Sequence, residues 1–336
     1  MTTRNTPVLK RVFYVSSGML FVLTAAAVLG ISVGSAGGGF ETVLRSIFGS
    51  SPVDTSLQDI IWRIRAPRVL MAALVGAALS CGGLVFQALL RNPLAEPYIL
   101  GISGGAAIGA IIGILLGFSR FPGVSLLSFF GSIMTLAVLL LISSGRTILH
   151  KDSLLLSGVM VNAFCSAVIM FLVSMTRDVR IHNIIFWLMG DLSLVGFRQV
   201  LILTAIMIPC LTVLFWLSHS MNLLLLGKES ARSLGVNLAA VTVILLVTTS
   251  LMVSATVSQC GLLGFVGLVM PHLLRFVLGS DHRVLVPACV LGGATYMILC
   301  DVLARTLPRQ GEMPAGVITA LIGAPLFILL LKRSAK

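Results

Sequence analysis

Long apolar stretches alternate with short polar segments along the whole chain. A bilayer core about 30 Å thick requires roughly 20 apolar residues for each helical span, so uncharged runs of that length predict membrane-crossing helices. The runs that meet this criterion are 12–33, 69–90, 98–118, 124–144, 154–175, 200–218 and 238–257. Shorter or proline-interrupted runs, which we also predict as spans, are 261–274, 284–300 and 315–331. The pattern therefore predicts an all-α integral membrane protein with about ten transmembrane helices.

Composition indicates lipid as the main solvent of the chain. Of 336 residues, 57% are hydrophobic and 10% are charged, and the mean hydropathy is +1.08, values that the surface of a water-soluble domain cannot carry. The longest polar segment, 34–68, is too short for a soluble domain, so we predict a single transmembrane domain over 1–336. Glycines spaced by four, such as Gly105, Gly109 and Gly113, predict close helix packing.

Cations at the two ends of the chain predict its orientation. Lys10 and Arg11 precede the first run, and Lys332 and Arg333 follow the last. Cytoplasmic segments carry an excess of such residues, and ten spans place both ends on one side, so both termini are predicted to be cytoplasmic. The first run is longer than the core of a signal peptide and is interpreted as a retained helix.

The remaining charge and the cysteines exclude two other classes. The net charge of +12 is spread over many short loops on two sides of a membrane, which argues against nucleic-acid binding. The six cysteines lie in or next to apolar runs without a C-x-x-C pair, so we interpret them as packing residues and predict no metal site.

Several catalytic and transport motifs are absent from the sequence. There is no G-x-x-x-x-G-K-[ST] loop for ATP and no H-E-x-x-H metalloprotease motif. A secondary carrier working alone generally places an acid deep in a span, whereas the acids here lie at span ends or in loops. Asp301 is the nearest exception, and its spacing to Arg305 predicts an i,i+4 ion pair.

One string offers a catalytic alternative. G-I-S-G-G, from Gly101, resembles the serine turn of rhomboid-type intramembrane proteases, in which a histidine would activate Ser103. The candidate bases His272 and His282 flank one end of the eighth span, whereas a serine and its base need to share one depth. The competing interpretation is a glycine-rich helix start with Ser103 as its cap.

An amphiphilic segment, M-N-L-L-L-L-G-K-E-S-A-R-S-L-G from Met221, predicts two short surface helices joined at Gly227. Its E-S-A-R-S-L-G string resembles the E-A-A-x-x-x-G signature with which bacterial ATP-binding cassette (ABC) importer permeases engage their ATPase. A short exposed helix can seat in a partner and transmit its movement. The predicted coupling residues, within the loop 219–237, are Met221, Gly227, Glu229, Ala231, Arg232 and Gly235.

Further strings extend the resemblance over nearly the whole chain beyond the first helix. They are W-R-I-R-A-P-R-V-L from Trp62, G-A-A-L-S-C-G-G-L-V-F-Q-A-L-L-R-N-P-L-A-E-P from Gly76, L-G-I-S-G-G-A-A-I-G from Leu100, G-F-V-G-L-V-M-P-H-L-L-R from Gly264, S-D-H-R-V-L-V-P from Ser280, D-V-L-A-R from Asp301 and E-M-P-A-G-V-I-T-A-L-I-G-A-P-L-F from Glu312. Together they resemble the permease family of ABC importers for iron-siderophores, haem and vitamin B12.

That resemblance implies a type II ABC-importer permease in a bacterial or archaeal cytoplasmic membrane. It implies a homodimer with the substrate path along the subunit interface, two cytoplasmic ATPase subunits and an extracytoplasmic substrate-binding protein. The permease would be a transport subunit and not an enzyme, with no cofactor of its own, since ATP and Mg²⁺ belong to the ATPase. The cargo would be an iron-siderophore, haem or cobalamin, with a vitamin B12-specific importer as one alternative.

The resemblance also implies roles for individual residues. Arg65, Arg68 and Arg305 match family arginines that receive glutamates of the binding protein, and the planar guanidinium suits paired hydrogen bonds to a carboxylate.

For the cytoplasmic gate, Asn92 and Leu94 match the N-P-L turn of the family, and a second element lies after the fourth helix. His150, Lys151 and Asp152 stand there, where vitamin B12 members carry small hydroxyl residues, and this difference weakens a B12-specific assignment. Asn162 is a candidate polar residue of the pathway, with an ordinary interhelical hydrogen bond as the alternative.

Overall fold

The computed structural model describes residues 8–33, 58–142, 151–176, 178–235, 237–308 and 311–334. Within these residues the regular structure is entirely helical, which confirms the all-α prediction. The α-helices are α1 (Val8–Ser32), α2 (Ala66–Leu90), α3 (Ile102–Leu115), α4 (Ser125–Ile142), α5 (Lys151–Ser174), α6 (Asp178–Leu188), α7 (Phe197–Trp216), α8 (Ser218–Leu225), α9 (Lys228–Ser233), α10 (Leu238–Cys260), α11 (Val266–Leu278), α12 (His282–Thr306) and α13 (Ala315–Ser334). Short turns at Ile60–Arg65, Pro97–Leu100 and Arg120–Val124 lead into α2, α3 and α4.

Seven of the described helices are long and apolar enough to cross a membrane. They are α1, α2 with its leading turn, α4 with its leading turn, α5, α7, α10 and α12. The helices α3, α6, α11 and α13 are apolar but shorter. The ten predicted spans therefore correspond to these seven together with α3, α11 and α13.

Three details differ from the sequence-based expectations. The uncharged run 98–118 contains only the 14-residue α3, because Pro97–Leu100 forms a separate turn that ends at Gly101 with φ of 77°. The run 284–300 was expected to be interrupted, yet Pro287 lies inside the continuous 25-residue α12. The additional helix α6 was not predicted, because Arg180 and His182 break the apolar pattern there.

Helix α2 forms the centre of the bundle. Of its most apolar 18-residue stretch, 83% is buried, against 67% for α12 and 6% for α1. A Cβ atom added to Gly76 would lie 2.0 Å from the carbonyl oxygen of Gly293, so α2 and α12 meet backbone to backbone. Gly83 approaches Gly267 of α11 in the same way. Side chains larger than hydrogen would hold these helices apart.

The helices α3 and α4 also approach each other closely at glycines. A Cβ on Gly105 would lie 1.8 Å from Oγ1 of Thr135, and one on Gly109 would lie 2.1 Å from the carbonyl oxygen of Leu127. A Cβ on Gly131 of α4 would lie 2.3 Å from the carbonyl oxygen of Gly105. The close packing predicted from the four-residue glycine spacing is confirmed.

The bundle presents two faces that matter for function. The arginine face contains the C-terminal end of α1, the N-terminal end of α2 and the C-terminal end of α12. The coupling face contains the opposite ends of α2 and α12, together with α8 and α9. Each of α2 and α12 has 25 residues, a length of about 37 Å at 1.5 Å per residue, so both helices run from one face to the other.

Candidate docking, coupling and gating sites

The arginine face contains a buried ionic cluster of Arg65, Arg68, Arg305, Asp301 and Glu312, here called the arginine cluster. Nε of Arg68 donates to Oδ1 of Asp301 at 2.9 Å, and Nη1 of Arg68 lies 2.5 Å from Oε2 of Glu312. Nε of Arg305 lies 3.1 Å from Oδ2 of Asp301, which confirms the i,i+4 ion pair. The pair between Arg68 and Asp301 joins α2 to α12 and could not be read from sequence spacing.

The arginine cluster also caps the C-terminal end of α1. The last carbonyl groups of a helix lack partners within the helix and carry partial negative charge. Arg65 donates from Nη1 to the carbonyl oxygens of Ile31 and Ser32 at 3.1 and 3.2 Å. Arg305 donates from Nη2 to the carbonyl oxygen of Gly30 at 3.1 Å. Three helices are thus joined at one point by guanidinium groups.

All three arginines predicted from the family resemblance therefore meet in one place. Arg65, Arg68 and Arg305 are only 5%, 3% and 4% exposed, so each is held by this chain and not extended into solvent. Among the described residues, the cluster contains three arginines and two carboxylates. The side chain of Glu312 is 34% exposed, whereas that of Asp301 is 1% exposed. Glu312 is therefore the acidic member of the cluster that solvent reaches.

On the coupling face, the segment 218–235 has the predicted form of two short helices. Helices α8 and α9 flank Gly227, whose φ of 116° suits glycine alone. Met221 and Ala231 are fully buried and attach the segment to the bundle. Arg232 is exposed, and Gly235 has φ of 81°, with no other atom within 4 Å of the position that a Cβ would take.

The predicted coupling residues thus divide into an anchored set and an exposed set. The backbone of Glu229 belongs to α9, but its side chain lies outside the described residues. Leu226 and Leu234 expose 63% and 59% of their surface beside Gly227 and Gly235. An exposed apolar rim around a short helix is the kind of surface that a partner protein covers.

Two sets of polar contacts tie this segment to the membrane helices. Arg91, at the end of α2, donates from Nη2 to the carbonyl oxygen of Leu224 at 2.6 Å. Asn222 of α8 donates from Nδ2 to Oδ1 of Asp281 at 2.7 Å and accepts from the backbone N–H of His282 at 2.8 Å. The ring Nδ1 of His282 lies 2.7 Å from the same oxygen of Asn222.

We call Asn222, Asp281 and His282 the Asn222 junction. Burial opposes ionisation of Asp281, but hydrogen bonds from Arg283 and Asn222 outweigh it and lower the pKa of Asp281 to about 2. Asp281 also caps α12 by accepting from the backbone N–H of Arg283 at 3.0 Å. Sequence reasoning found the S-D-H-R string but gave it no role, because Asn222 lies 59 positions away.

The predicted gate residues lie near the same face. Oδ1 of Asn92 accepts from the backbone N–H of Leu94 at 2.9 Å, which makes the N-P-L string a tight turn, and Leu94 is 44% exposed. Gly158 of α5 packs on the backbone of Ile99 and Leu100, where a Cβ would lie 2.7 Å from the Ile99 carbonyl oxygen. The turn after α2 and the first half of α5 are therefore in contact through the segment 97–101.

Asn162 lies one turn further along α5. Its Oδ1 would be 3.4 Å from a Cβ on Gly104, so it faces the glycine-rich start of α3. Among the described residues its side chain makes no hydrogen bond, which contradicts the interhelical hydrogen bond considered above. The helix α5 begins at Lys151, but the side chains of Lys151 and Asp152 and the whole of His150 lie outside the described residues.

The residues of the protease alternative are not assembled. Ser103 is 7% exposed, and within the described residues it makes no hydrogen bond to either histidine. His282 is engaged by Asn222, and His272 packs edge-on against Phe327 with ring centroids 5.8 Å apart. Ser103 also makes no capping hydrogen bond, since Gly101 occupies the cap of α3. The expected cap was therefore wrong, while the expected glycine packing is confirmed.

Comparisons with known proteins agree with this architecture. The model of the FecCD transport family matches residues 22–333. The chain is 42% identical over 277 residues to the vitamin B12 import system permease protein BtuC of Salmonella arizonae, covering 82% of this chain and 84% of that protein. It is 43% identical over 282 residues to BtuC of Klebsiella pneumoniae, covering 82% and 83%.

Two solved structures share the fold. One is described as an inward-facing conformation of a metal-chelate type ABC transporter. It matches with a TM-score of 0.85 and 32% identity over 95% of this chain and 99% of that one. PsaBC of Streptococcus pneumoniae matches with a TM-score of 0.59 and 17% identity, over 86% of this chain and 94% of that one, which is a likeness of fold.

A helical membrane bundle with a short two-helix segment on one face and a buried arginine cluster on the other has the architecture of a type II ABC-importer permease. The chain belongs to the FecCD transport family. It is a transport subunit, and ATP hydrolysis takes place on the partner subunit of such importers.

Proposed function

We propose that this permease carries a metal chelate into the cytoplasm. The names of its relatives support cobalamin as the first cargo to test, and iron-siderophores and haem are the alternatives. The observation that carries the proposal is the convergence of Arg65, Arg68 and Arg305 on one face, while the predicted ATPase-coupling segment lies on the other. That division matches an importer supplied with cargo from outside and with energy from inside.

In this proposal the arginine face is extracytoplasmic and the coupling face is cytoplasmic, so both termini are cytoplasmic. A substrate-binding protein docks on the arginine face. Two ATPase subunits, which hold ATP and Mg²⁺, engage α8 and α9 of a permease homodimer in the cytoplasmic membrane. The exposed Leu226 and Leu234 beside Gly227 and Gly235 supply the apolar contact area for the ATPase.

Docking on the arginine cluster occurs by exchange of partners. Each of the three arginines already has a partner within the chain, so a glutamate of the binding protein has to replace one of them. Glu312 is the replaceable partner, because its side chain is 34% exposed and it is held by Arg68 at the rim of the cluster. Asp301, which is 1% exposed on its side chain, stays in place and keeps Arg68 and Arg305 oriented.

This exchange is tested by Glu312→Gln in the assembled transporter, with the affinity for the binding protein measured by surface plasmon resonance. Removing the competing carboxylate raises the affinity several-fold, because Arg68 no longer exchanges one ionised partner for another. Glu96→Gln, a glutamate between α2 and α3 on the coupling face, is the matched control and leaves the affinity unchanged. Unchanged or weaker binding by the Glu312→Gln variant would contradict the exchange.

Arginine docking itself is tested by charge reversal on both proteins. Arg68→Glu abolishes stimulation of ATP hydrolysis by the binding protein. A reversed glutamate on the binding protein restores the stimulation if the two residues meet. Failure of every single reversal of a surface glutamate to restore it would contradict direct docking through Arg68.

The cargo is tested in proteoliposomes that contain the complete transporter with its binding protein. Labelled cobalamin, a ferric siderophore and haem are offered separately, and ATP-dependent uptake is measured. We expect uptake of cobalamin that unlabelled cobalamin reduces. Uptake of a ferric siderophore or haem alone would replace cobalamin as the cargo, and uptake of none of the three would refute the metal-chelate proposal.

A further inference from the structure

The polar contacts of α2 and α12 reveal a connection between the two faces. At the coupling face, both helices are attached to the same short helix α8, through Arg91 and through the Asn222 junction. At the arginine face, both are joined through Asp301, which contacts Arg68 of α2 and Arg305 of α12.

Between the faces, the two helices are held in register by their closest approach. A Cβ added to Gly76 would lie 2.0 Å from the carbonyl oxygen of Gly293. A Cβ added to Gly293 would lie 2.3 Å from the carbonyl oxygen of Gly76. Backbones in contact at this distance cannot slide past each other without separating, because each glycine fits against the opposite carbonyl. The pair is thus fixed at both ends and in the middle.

We propose that α2 and α12 move as one rigid pair that couples the ATPase-binding segment to the arginine cluster, and that the Asn222 junction is the contact through which α8 moves this pair. The inference rests on the proposed function, since it assigns a route between the two docking faces. Asn222 is a positioning residue, which touches neither nucleotide nor cargo.

Three features suit the junction to this task. Its contacts are specific, because the single amide of Asn222 satisfies both the Asp281 carboxylate and the backbone N–H of His282. It is partly sheltered from solvent, because His282 is completely buried and the Asp281 side chain is 24% exposed. It lies at the first turn of a helix that continues without a break to Arg305, so a displacement at one end reaches the other.

The first test is Asn222→Leu in the complete transporter, which keeps the branched shape of the side chain but removes its hydrogen bonds. Because coupling between sites commonly changes a linked equilibrium 5- to 150-fold, we expect the stimulation of ATP hydrolysis by the binding protein to fall about fivefold or more. Hydrolysis without the binding protein is measured on the same preparation, and the stimulation is expressed as the ratio of the two rates. Asn237→Ala is the matched control. It removes one cytoplasmic-side hydrogen bond, to the N–H of Ala240, without contacting α12.

A second measurement separates coupling from assembly. Hydrogen exchange is followed at residues 301–307 with and without a trapped nucleotide on the ATPase. In the unaltered protein and in Asn237→Ala, nucleotide changes the exchange of this segment. In Asn222→Leu, or in the smaller Asn222→Ser if the first variant does not assemble, the change is lost.

The outcomes distinguish the inference from the proposed function. If the unaltered transporter shows no stimulation by the binding protein, the proposed function fails. If it does show stimulation and Asn222→Leu retains it in full, or if nucleotide still alters exchange at 301–307 in that variant, the rigid-pair route is overturned while the proposed function stands.

Discussion

Replacing Asp301 by asparagine tests how much the arginine cluster contributes to the fold. Asp301 is the only acid that contacts both Arg68 and Arg305 among the described residues, at 2.9 and 3.1 Å. The substitution keeps the size and one acceptor oxygen but removes the charge. The substitution removes the carboxylate that Arg68 and Arg305 share, at a site where the side chains of these two arginines are only 4% and 3% exposed.

The expected cost follows from burial. Removing one partner of a buried ion pair costs about 3–5 kcal/mol, because the remaining charge is left in a medium that solvates it poorly. We expect about 3 kcal/mol, since the amide oxygen of asparagine can still accept from Arg68. Asp59→Asn provides the control: its pair with Arg63 is also i,i+4, but the two side chains are 63% and 80% exposed, and such pairs contribute less than about 1 kcal/mol.

The measurement is the free energy of unfolding of each purified variant in mixed micelles, obtained by titration with sodium dodecyl sulfate and followed by tryptophan fluorescence. Asp301→Asn is expected to lose roughly 3 kcal/mol and Asp59→Asn almost nothing. If the two substitutions cost the same within the error of the titration, the cluster is not the buried structural unit that its geometry indicates.

Two further predictions concern helix packing and pH. Gly105→Val places its first carbon 1.8 Å from Oγ1 of Thr135, so it should lower the free energy of unfolding by about 3 kcal/mol. Gly18→Val, which meets nothing within 4 Å, should be neutral in the same titration. For Asp281, the pKa in the folded protein is about 2 against an ordinary value of 3.8. Its contribution to stability is therefore present above about pH 4 and lost as the pH falls towards 2. Asp281→Asn should flatten this part of the stability–pH profile, and an unchanged profile would refute the assignment.

The fold was largely predictable because a membrane-spanning helix has to be long and apolar. The exceptions have local causes. The tight turn at Pro97–Leu100 shortened α3, and Pro287 was accommodated within the second turn of α12. Helix α6 was missed because its first residues, Asp178 to His182, are mostly polar or charged.

The site was only partly predictable. Motifs indicated Arg65, Arg68 and Arg305, and the i,i+4 spacing gave the pair of Asp301 with Arg305. Nothing in the spacing indicated that Arg68 would reach Asp301 across 233 positions. Long-range polar contacts depend on how the helices pack, and packing is decided by glycine positions whose partners the sequence does not specify.

The Asn222 junction was hidden for the same reason. Asn222 and the S-D-H-R string were both visible in the sequence, but a lone asparagine in an amphiphilic segment is typical of a solvated surface. Only the approach of α8 to the first turn of α12 brings these groups together.

Reconstitution of uptake tests the central claim most directly, namely that this chain is a passage without its own energy source. Purified chain is placed in proteoliposomes alone, with its ATPase, and with both ATPase and binding protein, and the entry of labelled cobalamin is measured with and without ATP. The account predicts uptake only when all three proteins and ATP are present. Accumulation by the chain alone, driven by an ion gradient or by no added energy source, would contradict it.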